Sequence, residues 1–124
     1  MTNGANELAE IAALKKAVEG LLYPSESDEA FDVFVWNPTD SARAAVAGHA
    51  GKRAKIVEQP IDDFFAALKG TDDEARYQQL RQVMEAKLSD LHVFRVGRIR
   101  VDVYVLGRAK SGQWVGVHTV SVET

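Results

Sequence analysis

The apolar patterning of this 124-residue chain predicts an α+β fold, a three-layer α/β/α sandwich with a largely antiparallel central sheet and a C-terminal β-hairpin. Three observations predict it. Helical apolar stripes alternate with segments rich in β-branched and aromatic residues. Ile99, Val101, Val103 and Val105 alternate onto one face, and after a turn around residues 107–112 the chain returns through residues 113–122. The second face of that hairpin keeps Tyr104 and Leu106, so helices are needed on both sides of the sheet to bury it. The length fits one domain over residues 1–124, with a core large enough to need neither disulfides nor a structural metal.

Each element has its own signal. Leu8, Ile11, Leu14, Val18, Leu21 and Leu22 recur at three- and four-residue spacing, an amphipathic helix expected to stop at Pro24. Phe31, Val33, Phe34, Val35 and Trp36 read as a strand bounded by Pro38. Residues 39–51 read as a short Ala-rich helix, capped near Thr39 and ended by Gly48 and Gly51. Residues 52–58 are a weaker strand candidate. Pro60 suits the first position of a helix with Ile61, Phe64, Phe65 and Leu68 on its apolar face. Thr71 and Glu74 have capping-box spacing. They open the longest expected helix, whose stripe is Tyr77, Leu80, Met84, Leu88 and Leu91.

Composition narrows the function classes. There is no cysteine, which excludes disulfides, thiolate catalysis and cysteine-ligated zinc. The first ten residues lack a basic stretch followed by an apolar run, and no apolar run is long enough for a membrane span, so a cytoplasmic protein is expected. The net charge of −3 is small but unevenly spread, with an acidic excess in residues 1–30 and a basic excess in residues 92–110. One acidic and one basic surface can each steer a partner, although charge runs are ordinarily solvated faces.

No constellation for catalysis stands out. His49, His92 and His118 share no metal-ligand spacing, and His118 reads as a hydrogen-bonded structural histidine. The glycines form no phosphate loop, and Ser25, Ser27, Ser41 and Ser111 lack a nucleophile-elbow context. The reading is therefore not an enzyme, with no cofactor and no metal held by the chain alone. Arg98 and Arg100, with Arg95, Arg108 and Lys110, form a basic hairpin. Trp114 reads as core rather than as a stacking platform, which disfavours nucleic acid. Two carboxylate sites remain. The loop Ser25, Glu26, Ser27, Asp28, Glu29 presents acids, and only Glu123 and Thr124 follow the last strand, so the terminal carboxylate is expected on the end of an ordered strand.

Residues 20–28, running into Phe31-Asp32-Val33-Phe34-Val35-Trp36, resemble the nuclease A inhibitor family in the order Gly-Leu-Leu, aromatic, Ser-Glu-Ser-acid, Phe-acid-Val-Phe-aliphatic-Trp. The likeness returns at Arg95-Val96-Gly97, at residues 101–107, at Gly116 and at Val122-Glu123-Thr124, and more loosely at residues 61–65. The resemblance implies an α/β/α sandwich that inhibits a Mg²⁺-dependent, sugar-nonspecific ββα-metal endonuclease, a protein partner; the free chain is expected to be monomeric. It implies Glu26 as an inhibitory contact, and Thr124 as the residue that brings a carboxylate or hydroxyl to the nuclease's Mg²⁺. Ser25, Ser27 and Asp28 complete the expected loop contact and Glu123 the expected terminal one. The pattern departs at residues 69–74, which lack the family's Trp, and at Arg98, Arg100 and Arg108, which are acidic in the pattern. Those departures motivate the alternative, a non-catalytic binding module of the same fold with a different protein partner.

Overall fold

The computed structural model describes residues 3–51 and 54–123, with side chains from residue 9 onward. The elements run α1 (Asn3–Val18), β1 (Leu22–Tyr23), β2 (Glu29–Ala30), β3 (Asp32–Trp36), α2 (Ala42–Ala50), β4 (Ile56–Gln59), α3 (Ile61–Ala66), α4 (Glu74–Lys87), β5 (Ser89–Val96), β6 (Arg100–Arg108) and β7 (Trp114–Val122). Five strands form one antiparallel sheet in the order β3-β7-β6-β5-β4, and β1 and β2 form a separate two-stranded ribbon.

The α/β/α expectation holds because β6 and β7 bury both faces. Val101, Val103, Val105, Val115 and Val117 face the layer built by α1, α3 and α4, where Leu14, Phe64, Leu80 and Met84 are fully or almost fully buried. Leu106 and Trp114 face the other way, against Ala42, Ala45 and Val46 of α2. Small residues on α2 let the helix lie close to the sheet, and Trp114 fills the space beneath it at 0% exposure.

Several local expectations were overridden. The first helix ends at Val18, and Gly20 (φ 70°) turns the chain well before Pro24. Arg76 of α4 donates to the carbonyls of Ala17 (2.9 Å) and Glu19 (2.7 Å), which completes that helix end. The cap of α2 is Ser41, whose hydroxyl accepts from the Ala44 amide (3.1 Å), and the helix passes through Gly48 to Ala50. Thr71 and Glu74 do not close a reciprocal capping box. The Thr71 hydroxyl donates to the Leu68 carbonyl (2.7 Å), and the Glu74 carboxylate accepts from the Gly70 amide (2.8 Å). The stripe through Leu88 and Leu91 overran its helix. The chain leaves α4 at Lys87 and continues as β5, which joins β4 to β6 and which helical spacing had concealed.

The start of β5 carries a bulge between Ser89 and His92, with Asp90 at φ 53°, a left-handed conformation that Asp tolerates. The bulge brings the Asp90 carboxylate to His92 Nε2 (2.9 Å), while Glu58 on β4 reaches Nδ1 (2.6 Å). Partial burial opposes the charged ring, but the hydrogen bonds and charges of Glu58 and Asp90 outweigh it and raise the His92 pKa above its ordinary value. A raised folded-state pKa supplies stability that is fully present below about pH 6.5 and is lost as pH rises through the folded value. His92→Gln should therefore flatten the stability–pH curve on the alkaline side of about pH 6.5, measured by urea unfolding at several pH values.

β6 and β7 approach closely where Gly116 lies opposite Leu106. A Cβ at Gly116 would sit 2.1 Å from the Val105 carbonyl oxygen, backbone that cannot move without breaking the pairing. Gly116→Ala should cost about 1–3 kcal/mol or more by overpacking, read as a lowered denaturation midpoint.

Candidate functional site

The acidic loop is the five-residue connection of the β1–β2 ribbon, whose pairs are Leu22 with Ala30 and Tyr23 with Glu29. Two-stranded ribbons are marginal alone, and this one stands on an aromatic base. Tyr23 stacks on Phe64 with ring centres 5.9 Å apart, and Phe31 meets both Tyr23 and Tyr77 edge-on. The Tyr77 hydroxyl donates to the Leu22 carbonyl (2.7 Å). Burial pushes that hydroxyl well above its ordinary pKa, so it remains a donor.

The loop is stapled to the far end of the chain. The Ser25 hydroxyl accepts the Val122 amide (3.0 Å) and donates to the Ser27 carbonyl (2.6 Å). The Glu26 amide donates to the Val122 carbonyl (3.1 Å). Further back, the Thr119 hydroxyl donates to the Ala30 carbonyl (2.9 Å). The chain segment from Ser25 to Trp36 thus follows one edge of β7 along its length: β3 pairs with residues 114–118, β2 reaches Thr119, and the loop reaches Val122.

Of the predicted site residues, Ser25 and Ser27 are partly buried and hold the loop's shape, since Ser27 also donates to the Glu29 carboxylate (2.6 Å). Glu26 and Asp28 are exposed, and among the described residues neither carboxylate has a hydrogen-bond partner. Glu123 is differently placed. Its amide donates to the Ile99 carbonyl (2.7 Å), and its carboxylate accepts from the Ser121 hydroxyl (2.9 Å) and pairs with Arg95. Thr124 lies outside the described residues. Beside the loop, Leu22, Pro24, Asp28, Asp72, Asp73 and Tyr77 help line a cleft of about 210 Å³, so the connection between α3 and α4 borders the same surface.

A model of nuclease A inhibitor-like proteins matches residues 9–124, which takes in the loop, the connection before α4 and the end of β7. The chain belongs to the nuclease A inhibitor-like family. Membership implies a nuclease inhibitor whose partner is a nuclease. No curated protein matches the chain. Among the described residues, no helix is long and apolar enough to cross a membrane, and no group of three or more His, Asp or Glu side chains could hold a metal ion.

The loop acids were visible in the sequence, but their anchors were not. Ser25 and Val122 are 97 residues apart, and neither carries a local signal for the other. Tyr77 was assigned only to a helical stripe, and its hydroxyl gave no hint of a carbonyl 55 residues away. Ser25→Ala should leave the Val122 amide without its acceptor. A lost hydrogen bond of about 1 kcal/mol should speed hydrogen exchange at Val122 by roughly fivefold while distant sheet amides stay protected.

Proposed function

We propose that the chain is a single inhibitory domain that binds and blocks the active site of a Mg²⁺-dependent, sugar-nonspecific endonuclease. The Ser25–Glu26–Ser27–Asp28 loop and the C-terminal Glu123 and Thr124 form the contact. One observation supports this reading above the others: two segments far apart in sequence meet at Val122, where the loop that bears Glu26 is hydrogen-bonded to the end of the last strand. The exposed Glu26 carboxylate has no partner among the described residues, while its backbone is held, so little conformational freedom is lost on docking.

The physical basis is mimicry. Mg²⁺ takes hard oxygen ligands and keeps several waters, so a carboxylate or terminal oxygen can occupy the place of a substrate phosphate, directly or through water. The body of the inhibitor then excludes nucleic acid, and no bond is made or broken. Asp28 and Glu29, with Asp72 and Asp73 across the cleft, add long-range attraction toward a cationic active site, which raises the association rate more than the affinity. The carboxylate of Glu123 is already paired with Arg95, so its contribution is to hold the terminus against the β5–β6 turn rather than to reach the metal.

The test is a titration of a Mg²⁺-dependent nonspecific nuclease with the parent chain, with Glu26→Ala and with a Thr124 deletion. The parent should inhibit stoichiometrically. Loss of a buried charged contact costs about 2–5 kcal/mol, so each variant should lose at least about tenfold in affinity. Thermal unfolding of Glu26→Ala should match the parent, because the side chain is exposed and its carboxylate has no hydrogen-bond partner among the described residues. Inhibition undiminished in both variants would remove the proposed contacts.

A further inference from the structure

The turn between β5 and β6 carries a feature that the acidic loop does not use. Ile99 is 65% exposed, more than either of the other large exposed hydrophobic residues, Leu22 at 46% and Val57 at 47%. It sits between Arg98 and Arg100, both exposed and neither paired with a carboxylate among the described residues. An isolated exposed isoleucine is unremarkable, but this one is held rigidly. Gly97 (φ 115°) makes the turn, and a Cβ there would lie 2.4 Å from the Arg100 carbonyl oxygen. The Gly97 amide donates to the Lys55 carbonyl (3.3 Å), and the Ile99 carbonyl accepts the Glu123 amide (2.7 Å).

The turn also lies beside the proposed contact. Val122 is flanked by Arg100 on one side and by Ser25 and Glu26 on the other. Two interstrand spacings separate those flanks, about 10 Å. One end of the sheet therefore presents exposed acids on one flank and an apolar tip between two cations on the other.

We propose that Arg98, Ile99 and Arg100 are a second contact that selects the partner nuclease. The turn docks on an apolar recess bordered by carboxylates, next to the cationic active site that receives Glu26. This rests on the active-site reading given above. The charge arrangement selects the occupant: two exposed arginines around an apolar side chain, with no carboxylate partner among the described residues, complement an acidic rim and repel a basic one. The reversal of charge across Val122 also sets the orientation of docking, because turning the inhibitor over would bring like charges together. Rigid backbone on both flanks lets the two contacts engage together.

The experiment uses the full chain against a panel of Mg²⁺-dependent sugar-nonspecific nucleases. Inhibition and association kinetics are measured at two salt concentrations for the parent, Glu26→Ala, Ile99→Ala, and Arg98→Glu with Arg100→Glu. For the nuclease that the parent inhibits best, the charge-reversed variant should associate at least about tenfold more slowly at low salt, with the gap narrowing at high salt. Ile99→Ala should dissociate about tenfold faster. Both variants should unfold at the parent's temperature, since all three side chains are exposed. If Glu26→Ala weakens inhibition while the turn variants stay within twofold of the parent, the turn is not a contact and the active-site reading stands. A folded parent that inhibits no member overturns both. Salt-sensitive binding of the free chain to DNA, abolished by the charge reversal, would assign the arginines to phosphates and overturn the turn as a nuclease contact.

Discussion

The pairing of β6 with β7 is the constraint on which the rest of the molecule depends. Nine consecutive residue pairs, from Arg100 with Val122 to Arg108 with Trp114, set which side chains face which layer. A slip of one residue would exchange the valines at 101, 103 and 105 with Asp102, Tyr104 and Leu106 and empty both cores at once. Gly116 lets the two backbones come close enough for that register to close. Because β6 pairs with β5 on its other edge, and β7 with β3 on its own, two strands position the remaining three.

The same register positions the edge proposed as the contact. β7 is longer than its neighbour β3, and the surplus is occupied by β2 and then by the acidic loop. An edge that would otherwise present unpaired amide and carbonyl groups is therefore covered by the segment that bears Glu26. The other side of the same strand end receives Arg100 and the Ile99 carbonyl. In the proposed contact, a strand end tied on both sides presents the oxygens and the charge pattern to the nuclease. Glu26 and Asp28 are exposed and have no ion-pair partner among the described residues, so docking breaks no such pair there. Arg95 is paired with Glu123.

Histidine illustrates a different use of the fold. His118 has Asp32 at Nδ1 and Asp102 at Nε2, each 2.9 Å away, and stacks at a tilt on Tyr104. It ties the edge strand β3 to β6 across β7. His92 does the same for β4 and the bulge of β5. Both lie on the α2 side of the sheet, where the nine-residue helix covers only part of the surface and polar pairs hold the strands that it leaves open. The expectation of a hydrogen-bonded structural histidine at 118 is met, on the interior strand β7 and with the side chain partly exposed.

The sequence by itself determined the layer architecture, the antiparallel hairpin, the burial of Trp114 and the exposure of the loop acids. These follow from periodicity and side-chain chemistry within windows of ten or so residues. It misplaced what local patterns share. Leu88 and Leu91 continue a helical stripe as well as they begin a strand, and only the vacancy between β4 and β6 decides for the strand. Thr71 and Glu74 have the spacing of a capping box, yet the Leu68 carbonyl and Gly70 amide from the end of the preceding turn captured both side chains. The meeting of Ser25 with Val122, and of Ile99 with Glu123, was decided by tertiary structure alone. Hydrogen bonds between groups so far apart in the chain exist only after the sheet has closed, and no local composition encodes them. The chemistry of the site was thus written in the residues, and its assembly came from the sheet register.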